Sequence, residues 1–559
     1  MLFWQDARAL TKQGEEEGYL RFLPYLVGLF VLLAFVFMCR PFWMTNDDVS
    51  MAMITDGTGI AASPSPRLVL TNIAWGYLIR WLADIGAVQP YTFMTYAALA
   101  GSYLATLYAF IRSRANATFA SAILLIVYAP ALVYPQYTLV AGYLAFAGIA
   151  LLCIPPERQS IYSVYLAGAL VVLSGLVRAD ETVLVVLIAI PVSIGYWRAA
   201  AGSPIRCHWL IMLGISAVVF AAFQLLDMDT FASGSWGEFA KTYLIRTEFT
   251  DFNLPWYYML HGRLMAGSEY SIADFIMFKR WFYVDTQVFS VEKLSSFIGS
   301  VPWYVRATAD LKLFSQSLEP FSDPQILALC GVIIATLFFR RRRGYLLISI
   351  LTIAAVMFVL LLMGRPGITR IYIPVFAALA VMGAMQPAGS RRWGEACAAL
   401  LVVFGAVSLL YNVYRSDEQE SWASARVQAS TCRMSHDSLV VIWGADYPYT
   451  LEYLPFAAPK PDCTLKIYSL GEYALAPYAL DQLHDATGGK DLVPALLAGE
   501  SLDFIANPGN MQLLRDYFQR HYSVQLSTEL VVLDPRFSMY RVGLRPASAR
   551  LSAVLRRAP

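Results

Sequence analysis

The chain reads as a polytopic α-helical membrane protein that ends in a small α/β domain. Three observations predict this. Apolar residues fill 58% of the 559 positions and charged residues only 15%, whereas soluble domains carry roughly 25% charged residues. Apolar runs of about 15 to 21 residues recur through 22–386 and again at 396–414, matching helices that cross a hydrocarbon layer about 30 Å thick. Beyond Tyr414 charge rises, and short apolar strands alternate with helix-like stretches, the pattern of a small α/β unit.

Eleven segments qualify as spans: 22–39, 91–111, 117–134, 138–154, 162–178, 182–197, 208–226, 325–339, 344–363, 369–386 and 396–414. Residues 1–21 are polar and mixed in charge, and no small-residue cleavage site follows the first apolar run, so that run is expected to remain as an anchor. Arg112 and Arg114, Arg158, Arg198 and Arg206, Arg340–Arg343, and Arg391 with Arg392 fall in alternate loops. The bias of basic residues toward the cytoplasm places those loops, and the N-terminus, inside. The C-terminal region 415–559 is then extracytoplasmic. The net charge of +2 says little about partners, and nucleic acid is not expected among them.

This topology makes Arg40–Pro90 one long outer loop. Its stretch Leu68–Leu82 is apolar but holds Asn72 and Arg80, with Arg67 and Asp84 at the ends. A twelfth span there would invert either the N-terminus or the basic loops, so an amphipathic helix lying on the outer surface is expected. A second outer loop, 227–324, is studded with aromatics including Trp236, Trp256, Trp281 and Trp303, which settle at headgroup level. Short helices are expected there near 253–262 and 270–283. A connector of that length reads as a lid or binding surface.

In the tail, strands are expected at Ser438–Trp443, Leu465–Ser469, Leu502–Ile505 and Val524–Leu533, with a helix at Met511–His521, in a mixed sheet. No glycine-rich phosphate loop or zinc spacing is present. Five of the seven cysteines lie in or beside apolar runs and read as packing residues; Cys432 and Cys463 fall in the polar tail, where an extracytoplasmic location permits them to pair.

The acid pair Asp47-Asp48, in Phe42-Trp43-Met44-Thr45-Asn46-Asp47-Asp48, is the leading candidate for chemistry. Adjacent carboxylates are costly deep in a bilayer and usable at its rim. The plain alternative is a hydrated turn, with Asn46 or Asp47 capping a short helix over Val49–Thr55. A rim carboxylate suits a reaction between a lipid-linked sugar and a hydroxyl acceptor, because it can take the hydroxyl proton as that oxygen attacks the anomeric carbon. The leaving lipid phosphate then needs a cation, and arginine's donor fork matches phosphate oxygens. Such inverting transfer needs one base and no enzyme nucleophile. Candidate cationic sites are Arg178, with Asp180 and Glu181 beside it, and the segment Gly364–Arg370, with Arg365 and Arg370. Tyr137 is a cavity-lining candidate and His261 a polar one in the aromatic loop. No residue spacing specifies a metal, and a divalent ion is left open.

At these residues the pattern resembles the GT-C superfamily of polyprenyl-phosphate-sugar-dependent glycosyltransferases. Phe42–Asp48 matches that superfamily's acidic motif after the first span, and Leu176-Val177-Arg178-Ala179-Asp180-Glu181 is similar to an arginine-plus-acid stretch in bacterial relatives of the O-antigen-modifying and cell-wall type. The resemblance implies a catalytic base at Asp47 or Asp48, a polyprenyl-phosphate sugar donor, and a cell-envelope glycan or lipid acceptor such as lipopolysaccharide. It also implies a bacterial inner-membrane location. It covers about 20–414 in architecture. No signature of the WWDYG kind is present, which argues against peptide glycosylation. Two other readings remain open: a transporter or flippase of lipid-linked glycans, and an O-antigen polymerase or ligase.

Overall fold

The computed structural model describes residues 15–86, 89–251, 270–300, 311–339, 343–363, 365, 367–385, 403–414, 418–434, 438–457 and 464–545. Helices occupy the described residues of the segments expected to span. The helices Pro90–Ser113, Ala179–Ala199, Ile205–Thr230 and Gly344–Leu362 are each long and apolar enough to cross a membrane. The pair Phe314–Ser322 and Pro324–Phe338, bent by 83°, forms a fifth candidate, and shorter apolar helices such as Tyr137–Leu152 and Thr369–Met385 pack among them.

Burial separates the helices by role. Every residue of Tyr137–Leu152 is buried, so this short helix is the centre of the bundle. Ile205–Thr230 buries only Ile205, Trp209 and Met212, and its apolar outer face suits contact with lipid. The central helix approaches Thr369–Met385 closely: a Cβ on Gly142 would lie 2.2 Å from Pro374 Cβ. Glycine is therefore required there, and that contact sets where Arg370, at the head of the second helix, stands relative to Tyr137.

The surface-lying helix is present at Ile73–Asp84, capped by Asn72 through the Ala74 amide. Tyr77 and Trp81 on it are more than half exposed, as an interfacial helix requires. Its start is fastened by Ile73 N donating to Asp227 Oδ1 at 2.7 Å and by Asn72 N donating to Leu176 O at 2.9 Å. In the second loop the expected helix shortens to Ile272–Lys279, started by a capping box of Ser271 with Asp274; the other expected helix, near 253–262, lies outside the described residues.

The tail forms a five-stranded mixed sheet of order β2-β1-β3-β5-β4, from β1 (Leu439–Trp443), β2 (Lys466–Leu470), β3 (Leu502–Ile505), β4 (Leu526–Leu533) and β5 (Ser538–Leu544). Strands β2, β1 and β3 run parallel, and β5 and β4 add antiparallel. β5 is absent from the sequence reading because its alternation is broken by Arg541 and Gly543. Its pairing to β3 over Leu502–Val542 supplies what local pattern does not.

The sheet meets the helical part through the carboxyl ends of its parallel strands. Trp443, which closes β1, donates to Arg280 O at 2.5 Å, and Tyr283 donates to Gly471 O just past β2. Asp274 accepts from Arg520 Nη1 at 3.0 Å and pairs with His521 Nε2 at 2.7 Å, tying the second loop to the helix Pro508–Tyr522. On the edge, Ile467 N of β2 donates to Gly59 O at 2.9 Å, so the first loop covers part of an otherwise open strand edge. Cys432 is disulfide-bonded; its expected partner Cys463 lies outside the described residues.

Candidate active site

The segment leading to the acids is held by backbone bonds to the end of the helix Ala117–Val133 and the turn that precedes the central helix: Phe42 N donates to Val133 O at 2.9 Å and Met44 N to Pro135 O at 3.1 Å. Thr45 then begins the helix Asn46–Asp56, which ends at Gly57 in the left-handed region with φ of 66°. Asp47 and Asp48 therefore lie in its first turn, where the helix dipole favours negative charge. The capping position falls to Thr45, one residue before Asn46 and two before Asp47, the two caps anticipated from sequence.

The two acids have different environments. Asp48 is fully buried. Its Oδ2 accepts from Thr45 Oγ1 at 2.6 Å, and its Oδ1 accepts from Tyr91 OH and from the Tyr137 backbone N–H, both at 2.9 Å. Burial pushes Asp48 up to about 7, against the downward pull of those three donors. It fastens the first loop to the head of the central helix, and its oxygens are already engaged. Asp47, with its side chain 26% exposed, meets Arg370 Nη1 at 3.1 Å. Adjacent positions on a helix point about 100° apart, so one acid turns into the protein and the other toward the charged cluster.

Around Asp47 the fold brings together several residues singled out in the sequence. Arg178 stands as a single extended residue, φ −158°, between the helices Ile161–Val177 and Ala179–Ala199. Its guanidinium lies 5.0 Å from the Tyr137 ring centroid and donates to that tyrosine's hydroxyl. Tyr137 thus links Arg178 through its ring and Asp48 through its amide. Glu181 is 3% exposed, with Oε1 lacking a hydrogen-bond partner. Asp180 points outward and is exposed.

Two candidates stand apart from this group. Arg365 pairs with Asp251 at 3.9 Å rather than joining Arg370 beside Asp47; the turn between them directs the two arginines differently. His261 lies outside the described residues. No group of three or more metal-ligating side chains occurs among the described residues.

Local patterns did not reveal Glu472, Tyr473 and Arg246. Glu472 and Tyr473 follow β2 and project from the tail domain toward Asp47. Burial first, and then the charge of Asp47, push Glu472 up to about 7 against the opposing pull of Arg246. Arg246, in the helix Gly234–Thr250, is wholly buried, 3.7 Å from Glu472 Oε1. A signal for Glu472 was available in principle, since ligands at open α/β sheets gather outside the carboxyl ends of parallel strands. On the other flank of Phe42–Met44, a cavity of about 160 Å³ is lined by Phe42, Trp43, Met44, Tyr134, Leu139 and Ile373 among others.

No family model and no curated protein matches the chain. Among solved structures, the fold is similar to the crystal structure of ArnT from Cupriavidus metallidurans bound to undecaprenyl phosphate. That similarity has a TM-score of 0.40 and 13% identity, over 94% of this chain and 98% of that one.

Proposed function

We propose that this chain is a membrane glycosyltransferase that moves a sugar from a polyprenyl-phosphate donor to a cell-envelope glycan or lipid, such as lipopolysaccharide. The reaction takes place at the outer face of the bacterial inner membrane. The observation that carries this reading is the division of labour in the acid pair: Asp48 is locked by three donors, while Asp47 is presented, part-exposed, 3.1 Å from Arg370.

Asp47 is the base. It accepts the proton of the acceptor hydroxyl while that oxygen bonds to the anomeric carbon, and the bond from that carbon to the phosphate oxygen breaks with inversion. Negative charge grows on the departing lipid phosphate, and Arg370 and Arg178 stabilise it there. Both arginines head spanning helices, at the level where a lipid headgroup lies. Tyr137 orients Arg178, Glu181 lies between the arginine-bearing helices, and Arg365 with Asp251 borders the entrance. The aromatic second loop and the tail domain shape the acceptor side.

Purified protein supplied with polyprenyl-phosphate sugars and cell-envelope glycans tests this. Asp47→Asn should bind donor and lose turnover by roughly a hundredfold or more, the range for removing a positioned base. Full turnover in that variant would overturn the assignment. Lipid translocation in proteoliposomes without any sugar transfer would instead identify a flippase, and transfer of whole preassembled glycans would identify a polymerase or ligase.

A further inference from the structure

A buried arginine without hydrogen bonds is costly, because desolvating a charge costs several kcal/mol unless partners compensate. Arg246 is such a residue. It is 0% exposed, and Nε, Nη1 and Nη2 all lack a hydrogen-bond partner among the described residues. Its guanidinium carbon lies over the rings of Tyr243 and Trp281, at 4.5 and 4.9 Å from their centroids. The rings offer cation–π stabilisation and leave the N–H groups unused. Glu472 is the nearest acid at 3.7 Å, beyond hydrogen-bond reach, and its Oε2 is buried and unpartnered, as is the hydroxyl of Tyr473 beside it. Donors and an acceptor thus stand close together with their polar atoms unspent.

The location distinguishes this group from the arginines assigned to the lipid phosphate. Arg178 and Arg370 head spanning helices. Arg246 belongs to the second loop and meets Glu472 from the tail domain, with Asp47 between the two cationic regions: Asp47 pairs with Arg370 on one side and acts on Glu472 on the other. Glu472 retains 20% exposure, so approach is from the side of the tail domain.

We propose that Arg246, with Tyr473 and Glu472, forms an oxyanion subsite for the acceptor, so that the acceptor carries a phosphate or carboxylate beside the hydroxyl that is glycosylated. This rests on the glycosyl-transfer reading and extends it to the acceptor's chemical class. A planar guanidinium with free N–H groups binds such an anion in bidentate fashion. Glu472 is the group an entering anion displaces. It is faced by Asp47, Asp251, Arg246 and Arg370. Burial raises its pKa to about 7, so it competes for Arg246 as a carboxylate above that pH and withdraws as a neutral acid below it.

The test is equilibrium binding to the purified full-length protein in detergent, with sulfate as a tetrahedral oxyanion of constant charge and acetate as the carboxylate probe. Arg246→Gln should weaken the preferred probe by roughly tenfold or more. Sulfate preference points to a phosphate acceptor and acetate preference to a carboxylate one. Binding should weaken between pH 6 and 8 in the unmodified protein and become pH-independent in Glu472→Gln. Unchanged affinity in Arg246→Gln overturns the proposal, as does loss of binding only in Arg370→Gln. If Arg246→Gln fails to fold, an unaltered pH profile in Glu472→Gln overturns it instead. None of these readouts requires turnover, so a failed subsite remains distinguishable from a failed transferase.

Discussion

Replacing Asp48 by alanine and by asparagine separates anchoring from chemistry. Alanine leaves Thr45 Oγ1, Tyr91 OH and the Tyr137 amide aimed at a buried carboxylate that is no longer there. The Thr45 hydroxyl is part-buried and can turn elsewhere, but the Tyr91 hydroxyl and the Tyr137 amide are stranded in buried surroundings at about 1–3 kcal/mol each, hence about 2–6 kcal/mol together, a large share of a typical total stability. Asparagine keeps the shape. Its oxygen can take both bonds now made to Oδ1, and the Thr45 hydroxyl can rotate to accept from the new amide, so the cost at pH 5 is about 1 kcal/mol or less. The charge adds a pH term. Asp48 is raised from 3.8 to about 7, so its contribution is fully present below the unfolded value and is lost as pH rises through the folded one. Asp48→Asn removes that loss, and its unfolding midpoint should draw level with or exceed that of the unmodified protein at pH 8. Tryptophan-fluorescence melting in detergent at pH 5 and 8 measures both effects, alongside turnover. Equal melting of Asp48→Ala and the unmodified protein would refute the anchoring argument. An Asp48→Asn variant as inactive as Asp47→Asn, yet fully stable, would move the base to Asp48.

Further outcomes follow from other contacts. Arg370→Gln should reduce both donor affinity and turnover, with Arg370→Lys partly restoring them as a point charge lacking the bidentate fork; kinetics with a polyprenyl-phosphate sugar checks this. Asp274→Ala removes the acceptor of Arg520 and His521, and hydrogen exchange should rise in Pro508–Tyr522 while the spanning helices stay protected. Asp274 is held below the usual carboxylate range, since donors from His521 and Ser271 outweigh its burial. Its contribution is therefore present above the unfolded value and lost as pH falls through the folded one, so the same exchange should rise in acid. Non-reducing peptide mapping should find Cys432 linked to Cys463, and membrane-impermeant labelling of cysteines placed at the exposed Ala62 and Ser63 should succeed from outside.

Some of this was legible in the linear chain because it is local. Long apolar runs become helices wherever backbone polar groups must be satisfied within the segment, and helices occupy the described residues of these runs. Asn72 ahead of an apolar but interrupted stretch marks the surface helix, and β1 to β4 follow from short apolar runs between turns. β5 escaped because its stability comes from its neighbours rather than its own alternation. The pair Asp47-Asp48 was visible as two acids in a place that penalises charge, yet their spacing did not say which of them turns inward.

By itself, the sequence determined the class of architecture, the place of the acid pair after the first apolar segment, and the existence of a separate sheet-forming tail. These rest on hydropathy and periodicity, which act over one helix or strand. Only the tertiary structure decided that Asp48 anchors while Asp47 faces Arg370, that Arg365 turns to Asp251, and that Glu472 comes within 3.7 Å of Arg246. Those choices depend on packing such as the close approach of Gly142 to Pro374 and on charges meeting across hundreds of residues. Coulombic and hydrogen-bond partners are selected by distance in space, and a linear pattern carries no record of that distance.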